Sequence, residues 1–342
     1  MQSGDDVQHM KISRRDALKL TAGGIALTQQ RTAFAAEIQP RIEQFDSAFE
    51  KIISVSEPIR TLATGFGGGG NTEGPVWWHE GGYLLFSSIG DQKVIQYTPG
   101  KGTSVFREKT NGANGHTRDT HGRLVSCEGL TRRVTREEPD GSITVVANAY
   151  QGKRINKPND VVAKSDGSIY FTDPWNIPDL QQPWDLDFNG VYRVSPDLGT
   201  INLLTRDLFL PNGLAFSPDE KILYIGDSRR NQIFAFNVAD NGLLMNQTQR
   251  VFVDLKGPEP GGPDGFKVDA AGNLYTGGAG GIYVVDPSGK KLGRIVHGQP
   301  QTTNIAFGGD DWKTLYFTTH STLGSVQLKT AGLPVPVPAR KA

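Results

Sequence analysis

A single cysteine, Cys127, rules out an intrachain disulfide and a zinc site built from thiolates. Lysine plus arginine balances aspartate plus glutamate at 36 each, so no bulk field invites nucleic acid or an anionic membrane. The 6 histidines form no pair at metal-ligand spacing, which argues against a histidine-built centre. Long uninterrupted apolar runs are missing as well. What the chain has in quantity is glycine (42) and proline (20), the composition of many short strands joined by tight turns. Its 342 residues suit one closed repeat architecture and do not force a division into two domains.

The first 35 residues look like an address. Ser13-Arg14-Arg15-Asp16-Ala17-Leu18-Lys19 resembles a twin-arginine export signal, and Ala33-Phe34-Ala35 supplies an A-x-A cleavage site. Residues 20–27 are mildly apolar, but too short and glycine-rich to span a bilayer. The expectation is a periplasmic protein with no membrane anchor in its mature form. Residues 36–58 carry Ile42, Phe45, Phe49, Ile52 and Ile53 at helical spacing, which predicts a helical lead-in against the body. Residues 331–342 form a proline-rich C-terminal tail.

Residues 59–330 repeat. Units open at Glu73, Asn114, Asn159, Asn212, Asp264 and Asn304, between 40 and 53 residues apart. Each runs from a polar residue into a short alternating strand, a turn rich in Asp, Gly or Pro, and a second apolar strand. With two further strands per unit, the pattern predicts an all-β fold, a six-bladed β-propeller with four-stranded antiparallel blades around a central channel. Little chain remains after Leu328 to complete the last blade. Its outer strand is expected from residues 59–64, closing the ring by strand exchange.

In a propeller the first strand of each blade lines the channel, so the six opening residues should converge on the axis. All six offer a side-chain oxygen, and Glu73 is a poor choice for a turn, which argues that they do more than turn the chain. Oxygen donors with two formal negative charges suit a hard divalent cation, calcium first, with magnesium, manganese or zinc as alternatives. Trp77, Trp78 and Tyr170 lie on the strand pattern and are expected in inter-blade cores. Arg132 and Arg133 are expected as solvated strand charges.

At these residues the sequence resembles the family of senescence marker protein, gluconolactonase and luciferin-regenerating enzyme. The resemblance rests on Glu73-Gly74-Pro75-Val76-Trp77, Lys157-Pro158-Asn159-Asp160-Val161, Leu210-Pro211-Asn212-Gly213-Leu214 and Gly262-Pro263-Asp264-Gly265, and spans residues 62–328. It implies one catalytic divalent cation and hydrolysis of a small sugar lactone. The family's metal ligands fall on Glu73, Asn159, Asn212 and Asp264; polar substrate contacts fall near Asn114, Glu128, Asp173 and Asp227. Bacterial relatives often carry Cys-Glu-His-Gly where this chain has Cys127-Glu128-Gly129-Leu130. Among the candidate bases for activating water, Asp264 ranks first and Asp227 second. A phosphotriesterase-like hydrolase on the same site and a non-enzymatic interaction propeller are the alternative functions.

Overall fold

The computed structural model describes residues 38–174 and 184–339. The export address therefore lies outside the described residues. The rest is all-β: six antiparallel sheets arranged as the blades of a propeller. The innermost strands of blades 1 to 6 begin within two residues of the predicted repeat openings: Thr72–Trp78, Ala113–Arg118, Val161–Ala163, Pro211–Phe216, Phe266–Val268 and Asn304–Gly308.

The repeated turns owe their shape to aspartate. Asp140, Asp166, Asp219 and Asp286 each accept the N–H of the residue two positions on, at 2.8–3.1 Å, a local bond that bends the chain without help from the strands. Between blades the strands pack into separate apolar clusters. Leu204, Leu214, Phe216 and Ile225 belong to the one joining blades 3 and 4. The smallest, Val76, Leu85, Val94 and Leu124, joins blades 1 and 2. Trp77 and Tyr170 are buried in such cores, whereas Trp78 is half-buried beneath the Arg118 guanidinium, 4.0 Å from its ring centroid.

Blade 6 is completed by Arg60–Thr64, which pairs with Thr322–Gln327 from Arg60↔Ser325 to Thr64↔Thr322. This is the exchange expected of residues 59–64: the two ends of the propeller share one sheet. The lead-in differs from expectation. Arg41–Gln44 is a strand, added as a fifth to the edge of blade 5 against Lys291–Val296. A single 3-10 turn, Ser47–Lys51, follows it, capped by Asp46, whose carboxylate accepts Ala48 N–H at 2.8 Å. Pairing satisfies the backbone of an otherwise open sheet edge, which a helix lying there would not. Ile42, Phe49, Ile52 and Ile53 still enter the core together, with Tyr275, Ile295 and Phe317.

The proline-rich tail folds back as far as it is described. Gly332 bridges Asp269, and its N–H bonds Trp312 O at 2.9 Å. Leu333, Pro334, Val335, Val337 and Pro338 then close one end of the channel over a chamber of about 200 Å³.

Deleting residues 55–65 uncovers the edge of Thr322–Gln327 and removes the strand that ties blade 6 shut. The truncated chain is expected to be insoluble or to lose its circular-dichroism melting transition. A soluble truncation melting like the full chain would contradict that closure.

Candidate functional site

At the opposite end of the channel, the six joints between blades are tied by six hydrogen bonds to backbone carbonyls. Ser87 Oγ donates to Asn114 O (2.9 Å), Gly115 N to Asn159 O (2.8 Å), and Thr172 Oγ1 to Asn212 O (2.7 Å). Ser228 Oγ donates to Pro263 O (2.7 Å), Gly265 N to Thr303 O (2.8 Å), and Thr303 Oγ1 to Thr72 O (2.6 Å). Each carbonyl belongs to an opening residue or to the residue before it. With the backbone at this point tied to the neighbouring blade, the opening residue is left to present its side chain elsewhere.

Two features of the sequence make this approach possible. The ladder of the innermost strand breaks between Glu73 and Val76, Ala113 and His116, and Pro211 and Leu214, bulges that re-aim one side chain. Glycine follows the opening residue in four blades because the next blade's backbone comes too near for a side chain. A Cβ on Gly74 would collide with Asn114 O, and one on Gly213 with Asp264 O.

Five of the six opening residues, Glu73, Asn114, Asn159, Asn212 and Asp264, line one cavity of about 650 Å³, within the range that takes a monosaccharide-sized ligand. The sixth, Asn304, lies buried beneath it and donates from Nδ2 to Glu73 Oε2 at 3.1 Å. Asp160, which follows Asn159, adds a third buried carboxylate that the repeat pattern hid as an ordinary strand residue.

These carboxylates strain against one another. Burial raises the Glu73 pKa well above the usual range, and the charges of Asp264 and Asp160 push it further. Burial, then Asp160, lifts Asp264 to about 7, against hydrogen bonds from Asn212 and from Gln301, whose Nε2 lies 3.1 Å from Asp264 Oδ2. Asn114 Oδ1 and Asn212 Oδ1 are buried without a hydrogen-bond partner. Unpaired carboxamide oxygens beside carboxylates that resist being charged together form a donor set fitting a hard divalent cation.

Three other predicted residues do a different job. Asp227 is fully buried and accepts the N–H groups of Phe209 (2.8 Å), Leu210 (3.2 Å), Arg229 (3.1 Å) and Arg230 (3.2 Å), besides pairing with the Arg230 guanidinium at 3.0 Å. A carboxylate so occupied is an anchor for the loop that delivers Asn212, not a base for water. Asp173 is its counterpart in blade 3: Oδ2 accepts Asn156 N–H at 2.7 Å, three residues ahead of Asn159, and burial lifts its pKa to about 7. Glu128 repeats the theme in blade 2 by holding Asn111 Nδ2 at 2.9 Å, three residues ahead of Asn114. It also bonds Thr131, Thr135 and Arg133 and faces a side cleft, away from the cavity. Burial pushes the Glu128 pKa up, but these donors outweigh it and hold it low.

Arg132 departs from its expected solvation too. It is buried, and its Nε donates to Ile155 O (2.8 Å) and Asn156 O (3.0 Å), gripping the loop ahead of Asn159. Arg133 is ion-paired to Glu128 at 2.7 Å. The cavity wall also contains Lys157, Gln301, Asn71 and His320, which the repeat pattern did not mark because they lie on connecting loops. His320 Nδ1 lies 2.6 Å from Asn71 Oδ1. Gly129 lines the wall as well, and a Cβ there would press on the Lys157 side chain at 3.0 Å.

Residues 71–321 match the SMP-30/Gluconolactonase/LRE-like region. The chain is 32% identical over 316 residues to a gluconolactonase of Zymomonas mobilis, covering 85% of this chain and 87% of that one. It is 27% identical over 252 residues to a pentonolactonase of Haloferax volcanii, covering 72% and 80%. A solved gluconolactonase of Xanthomonas campestris superposes with a TM-score of 0.76 at 31% identity, covering 84% of this chain and 95% of that one.

A carboxyl whose folded pKa is raised favours the folded state while protonated. That contribution is complete below the unfolded value, 3.8 for aspartate, and is lost as pH rises through the folded one, about 7 for Asp264 and Asp173. Without added cation the protein is expected to melt lower at about pH 8 than at about pH 5.5. A divalent cation should raise the melting temperature more at the higher pH, because it favours the charged carboxylates. Scanning fluorimetry with and without chelator reads both. A cation effect that is absent, or larger at the acid end, would count against the assigned donor set.

Proposed function

The chain belongs to the SMP-30/gluconolactonase/LRE-like family, and on that premise we propose that it opens sugar lactones beside one divalent cation held by Glu73, Asn159, Asn212 and Asp264. Lactone hydrolysis is the activity of the fold and site together. The metal dependence is our reading, and one observation carries it: unpaired, buried carboxamide oxygens share a cavity with buried carboxylates that repel each other. Oxygen-only donors favour calcium, with magnesium, manganese and zinc as the other ions of suitable charge. When bound, such a cation supplies Lewis acidity to the lactone carbonyl and lowers the pKa of nearby water.

The remaining work falls to side chains. Water must lose a proton as it attacks, and the ring oxygen must gain one as the C–O bond breaks. Asp264 is placed for both transfers. Gln301 steadies it through Oδ2, and a carboxyl lifted to about 7 is suited to take the proton from water and return it to the departing alkoxide. Glu73 is kept in register by Asn304 and by Gly74 N–H at 3.1 Å from its Oε2. Asn114 is left to meet the hydroxyl groups of the sugar, in a cavity large enough for the ring. Asp227, Asp173 and Glu128 act one step back, by fixing the loops that deliver Asn212, Asn159 and Asn114. The twin-arginine-like address at residues 13–35 supports a periplasmic setting for this chemistry.

Asp264→Ala is expected to lower kcat for gluconolactone by about 100- to 10,000-fold, the range for loss of a general base, while the protein stays folded. Chelation should silence the wild type, and added calcium should restore it. Both are read by pH-stat titration of the acid released. Undiminished hydrolysis by Asp264→Ala refutes the base, and hydrolysis that survives chelation refutes the metal.

A further inference from the structure

Three residues after each opening residue, the innermost strands place Val76, Thr117, Val162, Ala215, Lys267 and Phe307 around the lower channel. All six line the chamber closed by the C-terminal segment, and Lys267 is the one charged side chain among them. Apart from His116, Thr117, Ser217 and Glu220 the chamber wall is apolar, and oxygens at the level of the site above hold the ammonium while its stem stays below. Lys267 Nζ donates to Phe266 O at 3.1 Å and lies 3.5 Å from Asn304 Oδ1. Neither partner is a carboxylate.

Above it stand Asp160, Glu73 and Asp264, all buried. Asp160 Oδ1 accepts Val161 N–H at 2.9 Å, whereas its Oδ2 is buried and meets no donor at hydrogen-bonding distance. Asn304 connects the two levels, reaching down to Lys267 with its oxygen and across to Glu73 with its nitrogen. Three buried carboxylates against one ammonium leave two negative charges, which one divalent cation at the ring neutralises.

We propose that Lys267 is a built-in counter-ion standing where a second cation would otherwise bind, so that the channel takes a single divalent ion. The inference rests on the cation proposed above. Removing the ammonium leaves Phe266 O, Asn304 Oδ1 and Asp160 Oδ2 without their positive neighbour, and a cluster of oxygens around an uncompensated charge is what a hard cation binds. Lys267 is thus a positioning residue for the charge balance of the site and has no contact with substrate.

The test is equilibrium dialysis of the purified protein against calcium, with metal counted per chain. The wild type and Lys267→Arg, which keeps the charge, are expected to hold about one ion each, and Lys267→Met about two. The double variant Asp160→Asn/Lys267→Met, which removes both charges, is expected to return to about one. Should Lys267→Met prove unfolded, Lys267→Gln carries the same expectation. Lys267→Met or Lys267→Gln holding one ion with unchanged affinity overturns the inference and leaves the catalytic cation intact. A wild type that holds none defeats the metal reading itself, and the inference with it.

Discussion

The hydrogen bonds that join blade to blade at the channel fix the backbone carbonyls near the opening residues and so free the side chains. Ser87, Thr172 and Ser228 supply hydroxyl donors from or just beyond the second strands, and Gly115 and Gly265 supply N–H groups where no Cβ intervenes. A strand register one residue off would turn these side chains to the wrong face. The apolar clusters between blades hold the ring together, but the polar ties decide what it presents.

Against that frame, the site is a concentration of charge that the fold does not neutralise by itself. Glu73, Asp160 and Asp264 are each pushed toward their protonated forms by burial. One ammonium from below and a few amide donors offset part of that. Functional centres gather such conflicts because a ligand resolves them. The loops bearing Asn114, Asn159 and Asn212 are gripped by Glu128, by Asp173 Oδ2 and by Asp227, each accepting from neighbouring protein groups.

Much of this was legible in the sequence, for physical reasons. Asp-Gly turns and polar-Gly openings recur because most blades need the same bend and four of them the same close approach, so both the ring and the strand exchange at residues 59–64 could be read. Asp173 and Asp227 were visible as equivalent positions, but not their bonds to backbone N–H groups, because composition does not show where a loop returns. Asp160 was overlooked because a strand residue beside an opening residue looks like part of the ladder. The helical spacing of Ile42, Phe49, Ile52 and Ile53 misled because a strand and a single turn can deliver the same residues to one core. Arg132 looked solvated because a loop carbonyl leaves no mark in sequence.

The chemistry of the channel depends on where a cation would bind. Crystals grown with manganese, with anomalous scattering recorded at its edge, locate the ion without reference to activity. We expect one anomalous peak on the channel axis, bonded to oxygens of Glu73, Asn159, Asn212 and Asp264, with Asp227 and Glu128 still engaged in their loops. A peak confined to the protein surface, or held by Asp227 or Glu128, would contradict the account.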